Sequence, residues 1–293
     1  MLGAMTKSTN SLSPGSPPAT GGGEHGRDKA FSGSIPRLYE TYLVPLIFEP
    51  YARDLVDRLA EHRPSRILEL AAGTGVVTRA MAARLPASVS IVATDLNQAM
   101  LDQAAAVGTS RPVTWQQADA LRLPFEAGRF DAVVCQFGAM FFPDKGQAFA
   151  EVRRVLRPGG VFLFNVWDRL AANELAAAVT DALVSVFPEN PPRFMDRIPH
   201  GYYDLATIAR DLAAGGFTAA PRIETVSARG RAASARIAAI AYCQGTPMRN
   251  EIEARDAGRL EAATDAAEAA VARRFGPGPI DSAIQALVVT AVG

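Results

Sequence analysis

Ile67-Leu-Glu-Leu-Ala-Ala-Gly-Thr-Gly75 is the stretch on which the fold turns. Its first half, begun at Ser65, is a short apolar run suited to a buried strand. Val77, Ala80, Met81 and Leu85 then recur at helical spacing. Gly73 and Gly75 let the chain turn sharply and approach a ligand closely, and the free amides at the helix start favour an anionic group. Asp95 follows twenty residues after Gly75, at the end of the next apolar run, where a carboxylate can accept both hydroxyls of a ribose.

Outward from this loop the rhythm alternates. Val89 to Thr94 predicts a second strand. Asn97 is placed to cap a helix whose Met100, Leu101, Ala104 and Ala105 face inward, and Gly108 ends it. Val113 to Gln117 predicts a third strand and Phe130 to Phe137 a fourth. Asp144-Lys-Gly-Gln147 has the form of a capping box before the helical positions Ala148, Phe149, Val152, Val155 and Leu156. Arg157-Pro-Gly-Gly160 stops that helix, and Val161 to Trp167 is a fifth strand. Strands alternating with helices of about a dozen residues indicate right-handed βαβ units and an α/β doubly wound fold.

After Trp167 the pattern predicts helices over Asn173 to Phe187 and Asp204 to Ala214, a strand over Arg222 to Ala228, and helical stretches over Ser234 to Gln244 and Arg249 to Phe275. The closing run, Ile284 to Ala291, is apolar and β-branched. It reads as an antiparallel strand beside the one ending near Ala228, with the helices between them inserted as a cap. The expected division is a tail over 1–29 and a single domain over 30–293, with a cofactor-binding core at about 50–168 and helical cap elements at about 172–215 and 232–280. In the tail, 16 of 29 residues are Gly, Pro, Ser or Thr, too little apolar surface to offset ordering entropy. Packed structure is expected from Phe31, with Tyr39, Tyr42, Leu43, Leu46, Ile47 and Phe48 leading into a helix at Pro50.

Of the 293 residues 48% are hydrophobic and 20% charged, and 30 Lys and Arg balance 30 Asp and Glu. A net charge of +0 supplies no electrostatic footprint for nucleic acid or an anionic bilayer. The apolar runs are too short to span a membrane, so a cytoplasmic location is expected. The two cysteines, Cys135 and Cys243, suit neither a disulfide framework nor a zinc site, and both are expected to be reduced and buried.

Two ligands compete for the glycine loop: a nicotinamide or flavin dinucleotide, and S-adenosylmethionine. The dinucleotide motif wants a third glycine where Thr78 stands. Glu69, inside the first strand, would repel a pyrophosphate but suits the ammonium of an amino acid. Several further segments now count together: Asp95-Leu-Asn-Gln-Ala-Met100, Gln117-Ala-Asp-Ala120 with Leu123-Pro-Phe125, Phe130-Asp-Ala-Val-Val-Cys-Gln136, and Arg157-Pro-Gly-Gly160. In this order they resemble the class I S-adenosylmethionine-dependent methyltransferases over residues 40 to 168, in particular the small-molecule, ubiquinone/menaquinone-like branch.

The resemblance implies a Rossmann-like, seven-stranded, mostly parallel sheet with a C-terminal antiparallel strand. It implies Glu69 toward the methionine ammonium, with loop amides at Ala71 and Gly73 lining that end and Gly75 closing the loop. It further implies Asp95 on the ribose hydroxyls, Leu96 and Met100 against the adenine, Asp119 and the Ala120 amide on the base edge, and Gln136 beside the methionine portion. Ala71 stands where the family has its first loop glycine, and its methyl is accommodated if φ there stays negative. The implied activity is methyl transfer to an O, C or N atom of a small, largely apolar acceptor, by a monomer or homodimer without a metal. The alternatives are a non-catalytic module that binds the same cofactor and a dinucleotide oxidoreductase. Gln136-Phe-Gly-Ala139 lacks the proline-rich motif of amino-directed nucleic-acid enzymes, there is no Pro-Cys nucleophile for cytosine, and two cysteines are too few for arsenic chemistry.

Methyl transfer is an in-line displacement that the protein assists mainly by alignment. A general base is needed only for an acceptor protonated at working pH, and His200, in the post-sheet region, is the candidate. Tyr39, Tyr42, Phe137, Met140, Phe141, Phe142, Trp167, Tyr202 and Tyr203 are candidates to enclose a flat, apolar acceptor, which is expected to be uncharged or anionic.

Overall fold

The computed structural model describes Gly26 and residues 28–293. The tail expected over 1–29 therefore lies almost wholly outside the described residues. Asp28, however, is buried at 2% exposure, so packed chain begins three residues before Phe31.

One sheet of seven strands has the order β3-β2-β1-β4-β5-β7-β6. The strands are β1 (Arg66–Glu69), β2 (Ser90–Asp95), β3 (Thr114–Gln117), β4 (Phe130–Gln136), β5 (Leu156–Trp167), β6 (Arg222–Ala232) and β7 (Ile280–Val292). The first five pair in parallel, and β7 runs antiparallel to both β5 and β6. Central strands are buried almost end to end, as strands covered on both faces must be.

Alternate residues feed two cores. Ile67, Val134 and Leu163 point to the layer containing Leu55, Leu59, Val77 and Met81. Leu68, Val133, Phe162 and Phe164 point to the layer containing Phe149, Leu183 and Ile208. The helices are α1 (Ile35–Leu38), α2 (Glu49–Glu61), α3 (Val76–Arg84), α4 (Gln98–Val107), α5 (Lys145–Val155), α6 (Glu174–Val186), α7 (Phe194–Arg197), α8 (Leu205–Ala214), α9 (Ala235–Cys243), α10 (Met248–Arg255) and α11 (Leu260–Phe275).

Several expectations need correction. Asn97 stands at the start of α4, but its amide and side chain turn to Asp95 instead of capping the helix. Ala105 faces solvent. Arg157-Pro-Gly-Gly160 follows the end of α5 but belongs to β5, which begins at Leu156 with a register shift against β4. Asp144 does accept the Gln147 amide at 2.9 Å, whereas the Gln147 side chain donates to Leu121, so only half of the capping box forms. The single helix expected over Arg249 to Phe275 is two, α10 and α11, broken where Asp256 turns to an extended conformation. Strands β6 and β7 each run four residues further at their shared end, and Ala232 pairs with Ile280.

Between α1 and α2, Tyr39–Phe48 forms a π-helix in which the Glu49 amide reaches back five residues to the Val44 carbonyl. Its wider turn places Tyr39, Leu43, Ile47 and Phe48 on one side, where they line the crevice described below.

Candidate functional site

Connections leave β1 toward β2 and leave β4 toward β5, so the sheet reverses its winding between β1 and β4. A crevice opens outside the carboxyl ends of the strands at such a point. It is lined from Asp95 and Asp119 on the β2–β3 side to Trp167 and His200 on the β5 side.

The glycine loop after β1 is bent by three left-handed residues: Ala71 (φ 50), Gly73 (φ 55) and Gly75 (φ 86). Ala71 thus violates the expected condition of negative φ. Its methyl finds room only because residue 138 is glycine, where an added Cβ would lie 2.4 Å from the Ala71 Cβ. Gly75 does not line the crevice; a Cβ there would meet Trp115 at 2.8 Å, so its role is to let the loop pass beneath that ring.

Asp95 ends β2 and is buried. Its Oδ2 accepts the Gly73 amide at 2.9 Å and its Oδ1 accepts the Asn97 amide at 2.8 Å. Burial raises its pKa and these amides oppose the rise. Glu69 lies behind the loop, 1% exposed and not lining the crevice; it accepts from Thr78 Oγ1 at 2.5 Å. Desolvation pushes its pKa up to about 8 against the pull of Thr78 and Arg79. Thr78, where a dinucleotide site would carry glycine, therefore serves Glu69. Leu96, Met100, Asp119, Ala120 and Gln136 all line the crevice. Gln136 Nε2 donates to the Phe48 carbonyl at 3.3 Å, while its Oε1 is buried without a partner among the described residues.

The β5 end is aromatic. Phe137 and Trp167 stack at 3.8 Å with ring planes 6° apart, and Tyr51 meets both edge-on. Phe137 holds a left-handed φ of 49, fixed by its amide donating to Asn165 Oδ1 at 2.9 Å. Strain of this kind persists only where surrounding packing imposes it. Tyr39, Met140, Phe141 and Phe142 also line the crevice, whereas Tyr42, Tyr202 and Tyr203 do not. Tyr202 instead braces the loop from behind, beneath the Lys145 ammonium that donates to the Phe142 carbonyl at 2.9 Å. Tyr203 is exposed.

His200 is buried against Trp167. Its Nδ1 lies 2.8 Å from the Asp168 carbonyl, which can only accept, so Nδ1 carries the proton and Nε2 the lone pair. Burial pulls its pKa down to about 4, keeping the imidazole neutral at neutral pH. Among the described residues lining the crevice, Lys29 is the one basic side chain other than His200, and there is no arginine. No group of ligating side chains suited to a metal occurs among the described residues, and no helix there is long and apolar enough to cross a membrane.

The sequence reading missed Lys29, Phe31, Phe48 and Tyr242 as lining residues. Phe31 and Phe48 were visible as apolar positions without a periodic face. Tyr242 sits in a helix where nothing distinguishes it from a core tyrosine.

Residues 68–164 match the methyltransferase domain family. Over 101 residues the chain is 42% identical to demethylmenaquinone methyltransferase of Deinococcus radiodurans, covering 34% of this chain and 42% of that protein. Over 161 residues it is 30% identical to the ubiquinone/menaquinone biosynthesis C-methyltransferase UbiE of Pseudomonas aeruginosa, covering 54% of this chain and 58% of that one. The chain thus spans about half the length of the curated relatives it matches. Among solved structures, the YcgJ protein of Bacillus subtilis aligns with a TM-score of 0.51 at 19% identity, covering 83% of this chain and 98% of its own. A Bacillus halodurans C-125 protein aligns with a TM-score of 0.51 at 17% identity, covering 82% and 98%. At these identities the likeness is one of fold.

Proposed function

We propose that the chain is a class I S-adenosylmethionine-dependent methyltransferase, a reading that its motif order and the match of residues 68–164 to a methyltransferase domain support, and that it methylates a small, largely apolar acceptor. The observation that carries this reading is Asp95, a buried carboxylate tied into a left-handed glycine loop at the point where the sheet reverses its winding. An unmet group on the protein fits the cofactor: the orphaned Gln136 Oε1 is an unused acceptor in the crevice lining.

In this reading Asp95 holds the ribose hydroxyls, Asp119 and the Ala120 amide hold the base edge, and Leu96 and Met100 flank it. Glu69 acts through the loop and Thr78 on the amino-acid end. The bound cofactor supplies an electrophilic methyl group on a sulfonium. The chain's own contribution is alignment and the exclusion of water by Tyr39, Phe137, Phe141 and Trp167, with the neutral His200 available to accept a proton. Relatives named for demethylmenaquinone and ubiquinone/menaquinone biosynthesis support a flat, greasy acceptor, as does the aromatic β5 end. Monomeric or homodimeric action on a small molecule in the cytoplasm, with no nucleic acid or membrane partner, completes the proposal. Extension of the crevice past the cofactor residues to Trp167 favours an enzyme over a non-catalytic binding module.

Calorimetric titration with S-adenosylhomocysteine tests the reading. The wild type should bind, and Asp95→Ala should bind at least about a hundredfold more weakly, since two hydrogen bonds to a charged group are each worth about 1.5–3 kcal/mol. A wild type that does not bind would overturn it.

A further inference from the structure

Tyr242, near the end of α9, lines the crevice at 4% exposure, and its hydroxyl has no hydrogen-bond partner among the described residues. Burial alone raises its pKa, with no charge or hydrogen bond contributing. Buried phenols ordinarily find a partner, because an unmet polar group in an apolar site is costly.

His200 offers the complementary group. It is 5% exposed, its Nδ1–H is committed to the Asp168 carbonyl, and its Nε2 lone pair meets nothing among the described residues. The two side chains come from separate cap segments, His200 from the loop after α7 and Tyr242 from α9. The crevice that both line also carries Phe48, Trp167, Phe194 and Met195, with Asn173 and Thr246 among its polar residues. One group is a hydroxyl able to donate and the other a lone pair able only to accept.

Resting on the methyl-transfer reading, we infer that Tyr242 and His200 together anchor a hydroxyl of the acceptor, Tyr242 donating to its oxygen and His200 Nε2 accepting its hydrogen. Tyr242 is thereby a specificity-determining residue. A neutral hydroxyl on a flat apolar ring satisfies both groups. An ether or carbonyl oxygen satisfies Tyr242 and leaves Nε2 unmet, and a carboxylate sets its charge against that lone pair.

The test compares 2-naphthol with its methyl ether, 2-methoxynaphthalene, by calorimetry on the full chain saturated with S-adenosylhomocysteine. The wild type should prefer the naphthol by about tenfold, the value of one well-placed hydrogen bond. His200→Phe should reduce that preference to about threefold or less while leaving affinity for the ether unchanged, whereas Tyr242→Phe should weaken naphthol and ether alike by about tenfold and keep the preference. Tyr242→Phe removes only the hydroxyl, and an unchanged S-adenosylhomocysteine affinity confirms that its fold is kept. Equal affinity for the two naphthalenes, or binding of neither, overturns the proposal, as does a Tyr242→Phe variant that binds both as tightly as the wild type. A wild type that prefers the naphthol without binding S-adenosylhomocysteine sinks the methyl-transfer reading and leaves the anchoring pair standing.

Discussion

Ala71 and Gly138 form a matched pair, since the methyl that makes the loop unusual occupies the space that a side chain at 138 would need. Gly138→Ala should cost about 1–3 kcal/mol by overpacking. Ala71→Gly should relieve a left-handed strain of about 1–2 kcal/mol, partly offset by a looser unfolded chain. The double variant should therefore recover part of the loss in urea melts, since Cys135 Sγ would still lie 2.7 Å from the Cβ at 138, and an additive pair of effects would contradict the steric account. Glu69 and His200 carry opposite pH signatures. With its folded pKa raised to about 8 from an unfolded 4.5, Glu69 contributes stability that is full below 4.5 and lost as pH rises through 8. With its folded pKa lowered to about 4 from 6.5, His200 contributes stability that is full above 6.5 and lost as pH falls toward 4. Under the proposed function, an ammonium group near the loop pulls the Glu69 pKa down. Binding of S-adenosylhomocysteine at pH 7 should then release close to one proton from Glu69, read by calorimetry in phosphate and Tris buffers. Glu69→Gln should abolish that release, and a wild type releasing none would refute the assignment.

At the scale of elements, Asp144 caps α5 through the Gln147 amide, and this helix covers the sheet face beneath the loop of Met140 to Phe142. Asp144→Ala should lower stability by about 1 kcal/mol, measurable as a shift in the urea midpoint without a change in slope. The parallel strands and their helices were readable in the sequence because continuous apolar runs and glycine turns admit few other structures. Asp95 was marked by its position at a strand end, and Asp119 and Gln136 by the resemblance to the methyltransferases. The π-helix was not readable, because Tyr39, Leu43 and Ile47 recur every four residues, a spacing that an α-helix also carries. Nor was the burial of Glu69 behind the loop, since a strand-end position does not say on which side of a turn a carboxylate falls. The break at Asp256 was hidden for a related reason: apolar and alanine positions continue across it at helical spacing, and only the extended backbone there separates α10 from α11.

Across the whole molecule, residues 28–34 form a strap that joins the cofactor side to the cap. Arg197 of α7 bridges the carboxylates of Asp28 and Glu251, which are only 3% and 10% exposed, and Glu251 also accepts the Arg193 amide at 2.8 Å. Asn250 donates to the Ala30 carbonyl at 3.0 Å, and Arg249 donates to the Ser34 hydroxyl at 2.6 Å. At the other side the Phe31 amide points to Asn97 Oδ1 at 3.5 Å, and Lys29 and Phe31 line the crevice. Under the proposed function, a ligand held by Asp95 and Leu96 sits beneath this strap, which Arg197 pins together with Arg249 and Asn250. Removing Arg197 leaves the buried Asp28 carboxylate unpaired, while Glu251 keeps Arg255 at 3.4 Å and the Arg193 amide, a loss of about 3 kcal/mol if borne by the folded state and smaller if the strap detaches to hydrate Asp28. Detachment is the cheaper route, so Arg197→Ala should speed dissociation of S-adenosylhomocysteine by at least about tenfold, equivalent to 1.4 kcal/mol of opening free energy. Asp28→Asn should act in the same direction more weakly, because Glu251 still holds the guanidinium. Stopped-flow displacement measures both. A lowered melting temperature with an unchanged dissociation rate would mean that the ion pairs stabilise the fold without gating the crevice.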